Sequence, residues 1–527
     1  MSDSESDALP LGYTPITTYS IIEPFFKVVK EKNMKMRTRF APSPTGYMHI
    51  GNLRTALYCY LIAKHDHGDF ILRIEDTDQQ REVEGAIDLI YQVMEETGLH
   101  YDEGPDIDGG VGPYIQSQRL DIYHEYAQKL IDLGGAHYCF CEGELEGEDP
   151  CLHLSQQEIQ DKLDAGISHV FRQTIPTTGT TSFDDEVYGH IEVENKTLNE
   201  GILIKSDGYP TYNFANVIDD HLMNISHVVR GNEYLSSTPK YNLIYKTFDW
   251  EIPTYIHLPP VNKDETHKLS KRNGDASYQD LKEKGYLKEA IINYIALLGW
   301  SPADEEILSL DDLIAQFNIE HISKSPAIFD IDKLNWMNGM YLREMPLNQF
   351  HELLLPYYHS ITRKVDLLEL SKVLQPRLEK LSDVEESIDF INQAHPFDAS
   401  IYTHKKMKTN PENSLEALEL VKERIADFDD FNNDEAMTEF FVNLAKEKEL
   451  KNGRIMWPVR VALTNKSFTP GGAVEIAHIL GKEETSRRID QAIIDLKTLI
   501  ILDKSFMVRY FSPEVYSLLS LVDLMIE

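Results

Sequence analysis

Cysteine is scarce: the 527 residues hold four, three of them bunched between positions 139 and 151. So sparse a set excludes a disulfide-framed scaffold and points to a reducing compartment, the cytoplasm. No stretch approaches the roughly eighteen consecutive apolar residues of a membrane-spanning helix, so no membrane partner is expected. Basic residues are in deficit, 51 lysines and arginines against 87 aspartates and glutamates, for a formal charge of −36. Such a chain repels phosphate at long range, and any contact with nucleic acid must come from local basic patches. The plain alternative is an acidic enzyme with a small substrate. Residues 1–36 lack arginine and carry Asp3, Glu5 and Asp7, which makes a poor transit peptide, and Ile21–Val29 is too short and interrupted for a secretory signal. That stretch reads as a loosely structured N-terminal extension. Apolar residues are not lacking: 42% hydrophobic and 10% aromatic suffice for true cores, and the length implies three or four domains.

The rest of the chain is organised around residues 37–78, RTRFAPSPTGYMHIGNLRTALYCYLIAKHDHGDFILRIEDTD. Thr38–Ala41 is a short β-prone run that Pro42 and Pro44 end. From Asn52 to Lys64 the apolar Leu53, Ala56, Leu57, Tyr60 and Leu61 recur at helical spacing, and Cys59 reads as core. Gly68 closes that helix, and Phe70–Ile74 is a strand ending in Glu75, Asp76 and Asp78. This is a β-α-β unit whose Pro/Gly loop, with His49 and Gly51, leads into a helix N-terminus suited to phosphate. Alone, a histidine and glycine there are a weak signal, and read more readily as a helix-capping turn with a solvated histidine. A distant partner, Lys268-Leu269-Ser270-Lys271-Arg272, adds a cluster of cations.

Together these segments resemble the two ATP motifs of class I aminoacyl-tRNA synthetases, and APSPTGYMHIGN with RIEDTD resembles the bacterial-type glutamyl-tRNA synthetases. Asn52, in place of the class-wide second histidine, and Leu269 and Arg272 depart from the class pattern as the glutamyl branch does. The resemblance implies an α/β catalytic part with a Rossmann-type parallel sheet over 37–115 and 211–263. It implies an inserted acceptor-end domain over 116–210, a lysine loop and stem-contact region over 264–346, and an all-α anticodon-binding domain over 347–527. It implies ATP, with Mg2+, on Thr45, Gly46, His49, Gly51 and Lys271, with His49, Lys268, Lys271 and Arg272 catalytic. Glutamate would lie on Arg39, Ala41, Ser43, Glu75, Tyr212 and Arg230: two cations for two carboxylates and an anion for the ammonium. Which arginine meets which carboxylate is open.

Cys139-Phe-Cys141 and Cys151-Leu-His153 offer four zinc ligands from two turns, as many of these enzymes do; reduced thiols without metal are the alternative. The segment around Tyr212–Ile218 reads as strand or buried turn, Ile225–Val229 as strand, and Trp250–Asp264 as a proline-rich connector. Beyond Met345 amphipathic helices succeed one another with no strand pattern, a texture that selects the bacterial branch. Arg377 matches a position that faces the anticodon in the family, and Lys451, Arg454 and Arg460 form a basic patch around Trp457 suited to phosphate contact and stacking. Solvated helix faces are the alternative for all four.

The implied function is ATP-dependent charging of tRNA(Glu), with tRNA(Gln) a further candidate, by a monomer. Two rivals are the truncated paralogue that glutamylates a modified base (queuosine) of tRNA(Asp), which lacks the helical C-terminal third, and a catalytically dead tRNA-binding relative, expected to lose His49, Lys271 or Arg230. This chain keeps both the helical third and all three residues.

Overall fold

The structure is a computed structural model that describes residues 35–510 except 79, 82, 144–148, 268 and 270–276, with side chains to residue 502. Residues 1–34 of the expected extension, and Lys268, Lys271 and Arg272 of the lysine loop, lie outside the described residues. Two compact units result. One runs to Gln279 and adds Ile292–Phe329; the other joins Asp280–Ile291 to the chain from Asp330 onward, so residues 264–346 are shared between them.

In chain order the first unit contains β1 (Arg37–Phe40), α1 (Ile50–His65), β2 (Asp69–Leu72), α2 (Ala86–Thr97) and α3 (Leu120–Asp132). Then come β3 (Ala136–Cys139), α4 (Gln156–Asp164), β4 (Val170–Gln173), β5 (Thr180–Asp185), β6 (Gly189–Glu194) and β7 (Ile202–Ile204). After these follow α5 (Tyr212–Leu222), β8 (His227–Gly231), α6 (Thr238–Thr247) and β9 (Thr254–Leu258). β1 pairs in parallel with β2 across α1, as the pattern predicts. Pairing continues past the strands, Arg73 N–H to Phe40 O at 3.0 Å and Glu75 N–H to Pro42 O at 3.0 Å, which brings the two strand exits side by side. β8 runs along the other side of β1, where Ser226 N–H meets Arg37 O at 3.0 Å, and β9 pairs in parallel with β8. α1 is buried on nearly every face, and Cys59 is core as expected, its thiol donating to Arg39 O at 3.3 Å.

Three local readings need correction. Tyr212–Leu222 is a helix, not a strand: Phe214, Val217 and Ile218 bury one face at helical spacing, and that pitch overrides the β propensity of the aromatic and branched residues. The connector Trp250–Asp264 contains β9, whose Tyr255, Ile256 and Leu258 are buried. The hairpin β5–β6, which the sequence assigns to the insertion, pairs through Asp185 with Tyr255 and so extends the sheet that carries β8 and β9. The insertion's own sheet is β3-β4-β7, antiparallel throughout.

The second unit is helical, as its texture predicts. Helices Pro411–Ile425, Asp434–Glu447 and Asn452–Thr464 pack with the helix that begins at Ala473, which kinks at Gly481 (φ 74°). Arg488, 2% exposed, donates to the carbonyls of Phe390 and Ile391 at 2.8 Å each and also to Leu463 O.

Candidate active site

The exits of β1, β2, β8 and β9 open on one cavity of about 410 Å³, a size usual for small-ligand sites at the carboxyl ends of parallel strands. Arg39, Ala41, Ser43, Thr45, Glu75, Tyr212 and Arg230 all line it, together with Gly51 at the start of α1. Gly46 and His49 shape the turn beside this wall. Gly46 sits at φ 112°, a conformation that side chains resist. His49 caps α1, its Nδ1 accepting from Gly51 N–H at 3.1 Å, which puts the neutral ring's proton on Nε2. A Cβ on Gly51 would stand 3.3 Å from that Nδ1.

Beneath the cavity lies a network that the sequence reading missed. Arg39 donates Nε to Asp220 at 2.9 Å and Nη1 to Val229 O at 3.2 Å. Arg73, wholly buried, donates to Asp220 at 2.7 Å and to Glu75 at 3.0 Å. Asp219 accepts from Arg119 at 2.7 Å, Tyr123 at 2.8 Å and Gln116 at 2.9 Å, and stands 3.8 Å from Arg73. Three guanidiniums thus face three carboxylates, all buried, and each cation offsets the desolvation of an anion. The signal available was charge inside apolar runs, Arg73 in FILRIED and Asp219-Asp220 in NVIDDHL. Arg54, also missed, reaches from α1 to the carbonyls of Leu298 (2.9 Å) and Pro259.

Glu75 titrates unusually. Burial raises its carboxyl, Arg73 and Arg39 pull it back, and the balance leaves it at about 6. If the ionised form receives an ammonium, the KM for that amine should rise by about tenfold per unit below about pH 6, and a profile flat from pH 8 to 5 would contradict this. For stability the sign is opposite. The fold holds this proton more tightly than the unfolded chain, so Glu75 weakens the fold as pH rises from 4.5 to about 6.

In the insertion, Cys139, Cys141, Cys151 and Asp149 place one ligand atom each within 4.8 Å of one another. Cys141 Sγ and Cys151 Sγ are 3.7 Å apart; a tetrahedron with Zn–S bonds of ~2.3 Å has an edge of about 3.8 Å, so the pair fits zinc. His153, the fourth expected ligand, follows Cys151 by two residues on the same turn. Pro150–His153 is a 3-10 turn, and Asp149 caps it by accepting from Cys151 N–H at 2.8 Å. Asp149 also meets His137 Nε2 at 3.1 Å and Arg172 Nε at 3.2 Å. Burial raises its carboxyl, but hydrogen bonds from Cys139, Cys151 N–H and His137 bring it down to about 2.

In the second unit the four expected tRNA-facing residues part company. Arg460 lies over the Trp457 ring at 4.2 Å and donates to Thr469 at 3.0 Å and Ser467 O at 2.9 Å. Trp457 donates to Ile401 O at 3.0 Å, and Arg454 donates to Lys408 O. These side chains also brace loops. Lys451 precedes helix Asn452–Thr464 and is exposed. Arg377 lines a separate cavity of about 430 Å³ with Lys466, His395 and Phe468, whose ring is 87% exposed. Lys466 and Phe468 were not foreseen.

The comparisons agree with this geometry. The family "tRNA synthetases class I (E and Q), catalytic domain" matches residues 35–336, and an anticodon binding domain matches 349–493. The chain belongs to the class I tRNA synthetases of the glutamate and glutamine group. Within the family it is 58% identical over 483 residues to a glutamate–tRNA ligase of Clostridium tetani, covering 88% of this chain and 99% of that one. It is 57% identical over 482 residues to the Clostridium botulinum ligase, with the same coverage. Among solved structures, a glutamate–tRNA ligase from Elizabethkingia meningosepticum in complex with its amino acid superposes with a TM-score of 0.78 at 34% identity, covering 88% of this chain and all of that one. The family's Rossmann-like sheet and helical anticodon domain are both present. No helix among the described residues is long and apolar enough to cross a membrane.

Proposed function

We propose that the chain is a glutamate–tRNA ligase. One observation carries the reading: a single cavity collects Arg39, Arg230 and Glu75 beside the capped start of α1. Two cations and an anion match an amino acid with two carboxylates and one ammonium, next to a helix end that suits phosphate. The glutamate α-carboxylate attacks the α-phosphorus of ATP; a new O–P bond forms and the bond to pyrophosphate breaks. Positioning and charge neutralisation then carry the rate. His49 and Gly51, with Thr45 and Gly46, hold the nucleotide, and Lys268, Lys271 and Arg272 attend the departing pyrophosphate. Magnesium accompanies the ATP and shields its phosphates. In the second step the 2′-hydroxyl of the tRNA's terminal adenosine attacks the adenylate carbonyl and releases AMP. Ser43 and Tyr212 complete the amino-acid hydrogen bonds. The helical second unit supports charging of a whole tRNA over the truncated-paralogue reading, with Arg377, Lys451, Arg454 and Arg460 on the anticodon side. The chain acts as a monomer in the cytoplasm.

Charging purified tRNA(Glu) and tRNA(Gln) with labelled glutamate tests this. Label on tRNA(Glu) is expected, and label on tRNA(Gln) would widen the specificity to both. No label on tRNA(Glu) would sink the assignment.

The insertion's cluster should hold one structural zinc, remote from the chemistry, on Cys139, Cys141, Cys151 and His153, with Asp149 beside the thiols as the rival fourth ligand. The metal supplies a cross-link between the two turns when bound. Elemental analysis of protein purified without added metal should find one zinc per chain, reduced by His153→Ala and retained in Asp149→Ala. Zinc near zero after reconstitution, or lost only with Asp149, would contradict the ligand set.

A further inference from the structure

The geometry points to His257, held neutral between Asp185 and Arg230, as the positioning residue that aims Arg230 at the substrate carboxylate. The inference rests on the reading of Arg230 as a carboxylate-binding residue. His257 and Arg230 are register partners on the parallel strands β9 and β8. Arg230 donates Nε to His257 Nε2 at 3.1 Å and Nη2 to Thr238 Oγ1 at 2.7 Å. A guanidinium has only donors, so His257 Nε2 must accept, and the ring proton must sit on Nδ1. That Nδ1 lies 2.6 Å from Asp185 Oδ2, which also accepts His257 N–H at 3.1 Å. The other oxygen of Asp185 is engaged by Val187 N–H at 3.0 Å and Tyr188 N–H at 2.8 Å. Asp185 therefore fixes the tautomer, and the tautomer fixes Arg230.

His257 is wholly buried and Arg230 is 5% exposed. The rings of Tyr234, Tyr241 and Tyr255 flank the guanidinium at 4.8–5.4 Å. With two nitrogens tied and three rings beside it, the fork reaches the cavity in one orientation. A bidentate carboxylate contact loses little entropy when its donor is already in place. Burial also lowers the affinity of His257 for a second proton, which would set donor against donor at Arg230.

Pyrophosphate exchange with tRNA present, on the full chain, tests the assignment. His257→Asn keeps an amide near Nδ1 for Asp185 but offers Arg230 no acceptor, and should raise the glutamate KM about tenfold with the ATP KM within about twofold. His257→Gln places an amide oxygen near the Nε2 position and should recover to within about threefold of the parent. In an Arg230→Ala background, His257→Asn should add less than about twofold, because it acts through the arginine. Equal losses in the Asn and Gln variants, full additivity, or an unchanged glutamate KM would each overturn the inference. If neither histidine variant folds, Thr238→Val, which removes the other acceptor on the same guanidinium at nearly constant shape, should raise the glutamate KM about threefold; no rise overturns it. An Arg230→Ala variant that weakens ATP and spares glutamate would remove the underlying reading and the inference with it. A variant that behaves as expected beside an inert His257→Asn would remove the inference alone.

Discussion

Replacing Arg230 by alanine is expected to raise the glutamate requirement by roughly a hundredfold or more, with ATP dependence near the parent's. A hydrogen bond to a charged group contributes about 1.5–3 kcal/mol, and a carboxylate left in a buried site without its cation adds desolvation cost. About 2.7 kcal/mol already corresponds to a hundredfold. Arg230 is 5% exposed among three tyrosine rings, so water cannot readily replace it. Saturation curves for glutamate and ATP on Arg230→Ala and Arg39→Ala read out the result. Whichever variant loses less discrimination against glutamine is the one that faces the α-carboxylate, since an amide cannot satisfy donor-only guanidinium as a carboxylate does. If both arginines served ATP phosphates instead, ATP binding would weaken and the glutamate requirement would stay put.

Asp220→Ala should damage stability and substrate binding together. Asp220 is 2% exposed and takes Arg39 at 2.9 Å and Arg73 at 2.7 Å. Without it Arg39 loses its carboxylate partner and faces Arg73, which keeps only Glu75 and Asp219, a loss of about 3–5 kcal/mol. In a unit of this size that lowers the melting temperature by on the order of 10 °C. Arg39, released from its anchor, should also bind glutamate less well. Thermal melts and glutamate saturation check both parts; a melt within about 2 °C of the parent would show that the network does not bear on stability. Asp220→Asn keeps one acceptor but not the charge, and should fall between.

How much was legible depended on range. The β-α-β unit around Arg37–Asp78, the helices beyond Met345 and the buried Cys59 follow from periodicities and breakers a few residues long, and the structure has them. The motif residues Arg39, Ser43, Glu75, Tyr212 and Arg230 were nameable because their spacing resembles a family's, and one cavity gathers them. What went unread was decided by partners far along the chain. Arg39 and Asp220 are 181 positions apart, and Asp185 and His257 are 72 apart, yet each pair is in hydrogen-bond contact. Nothing local marks Asp219 and Asp220 as anions for three arginines, and nothing local marks His257 as an acceptor in a proline-rich stretch.

The same division explains the corrections. Tyr212–Leu222 carries β-prone residues at helical pitch, and burial against α3 and α6 favours the pitch. Asp149 went unread as a neighbour of Cys139, Cys141 and Cys151; it stands beside the thiols because it caps the turn that carries Cys151. Arg460 and Trp457, nameable as a basic and aromatic pair, also hold loop carbonyls and one another, contacts that no local pattern marks. By itself the sequence determined residue chemistry and local geometry, because pitch, propensity and turn sterics act over a few residues. Only the tertiary structure decided which charges neutralise each other and which side chains remain for substrate, because Coulomb and desolvation energies depend on distance in space and burial.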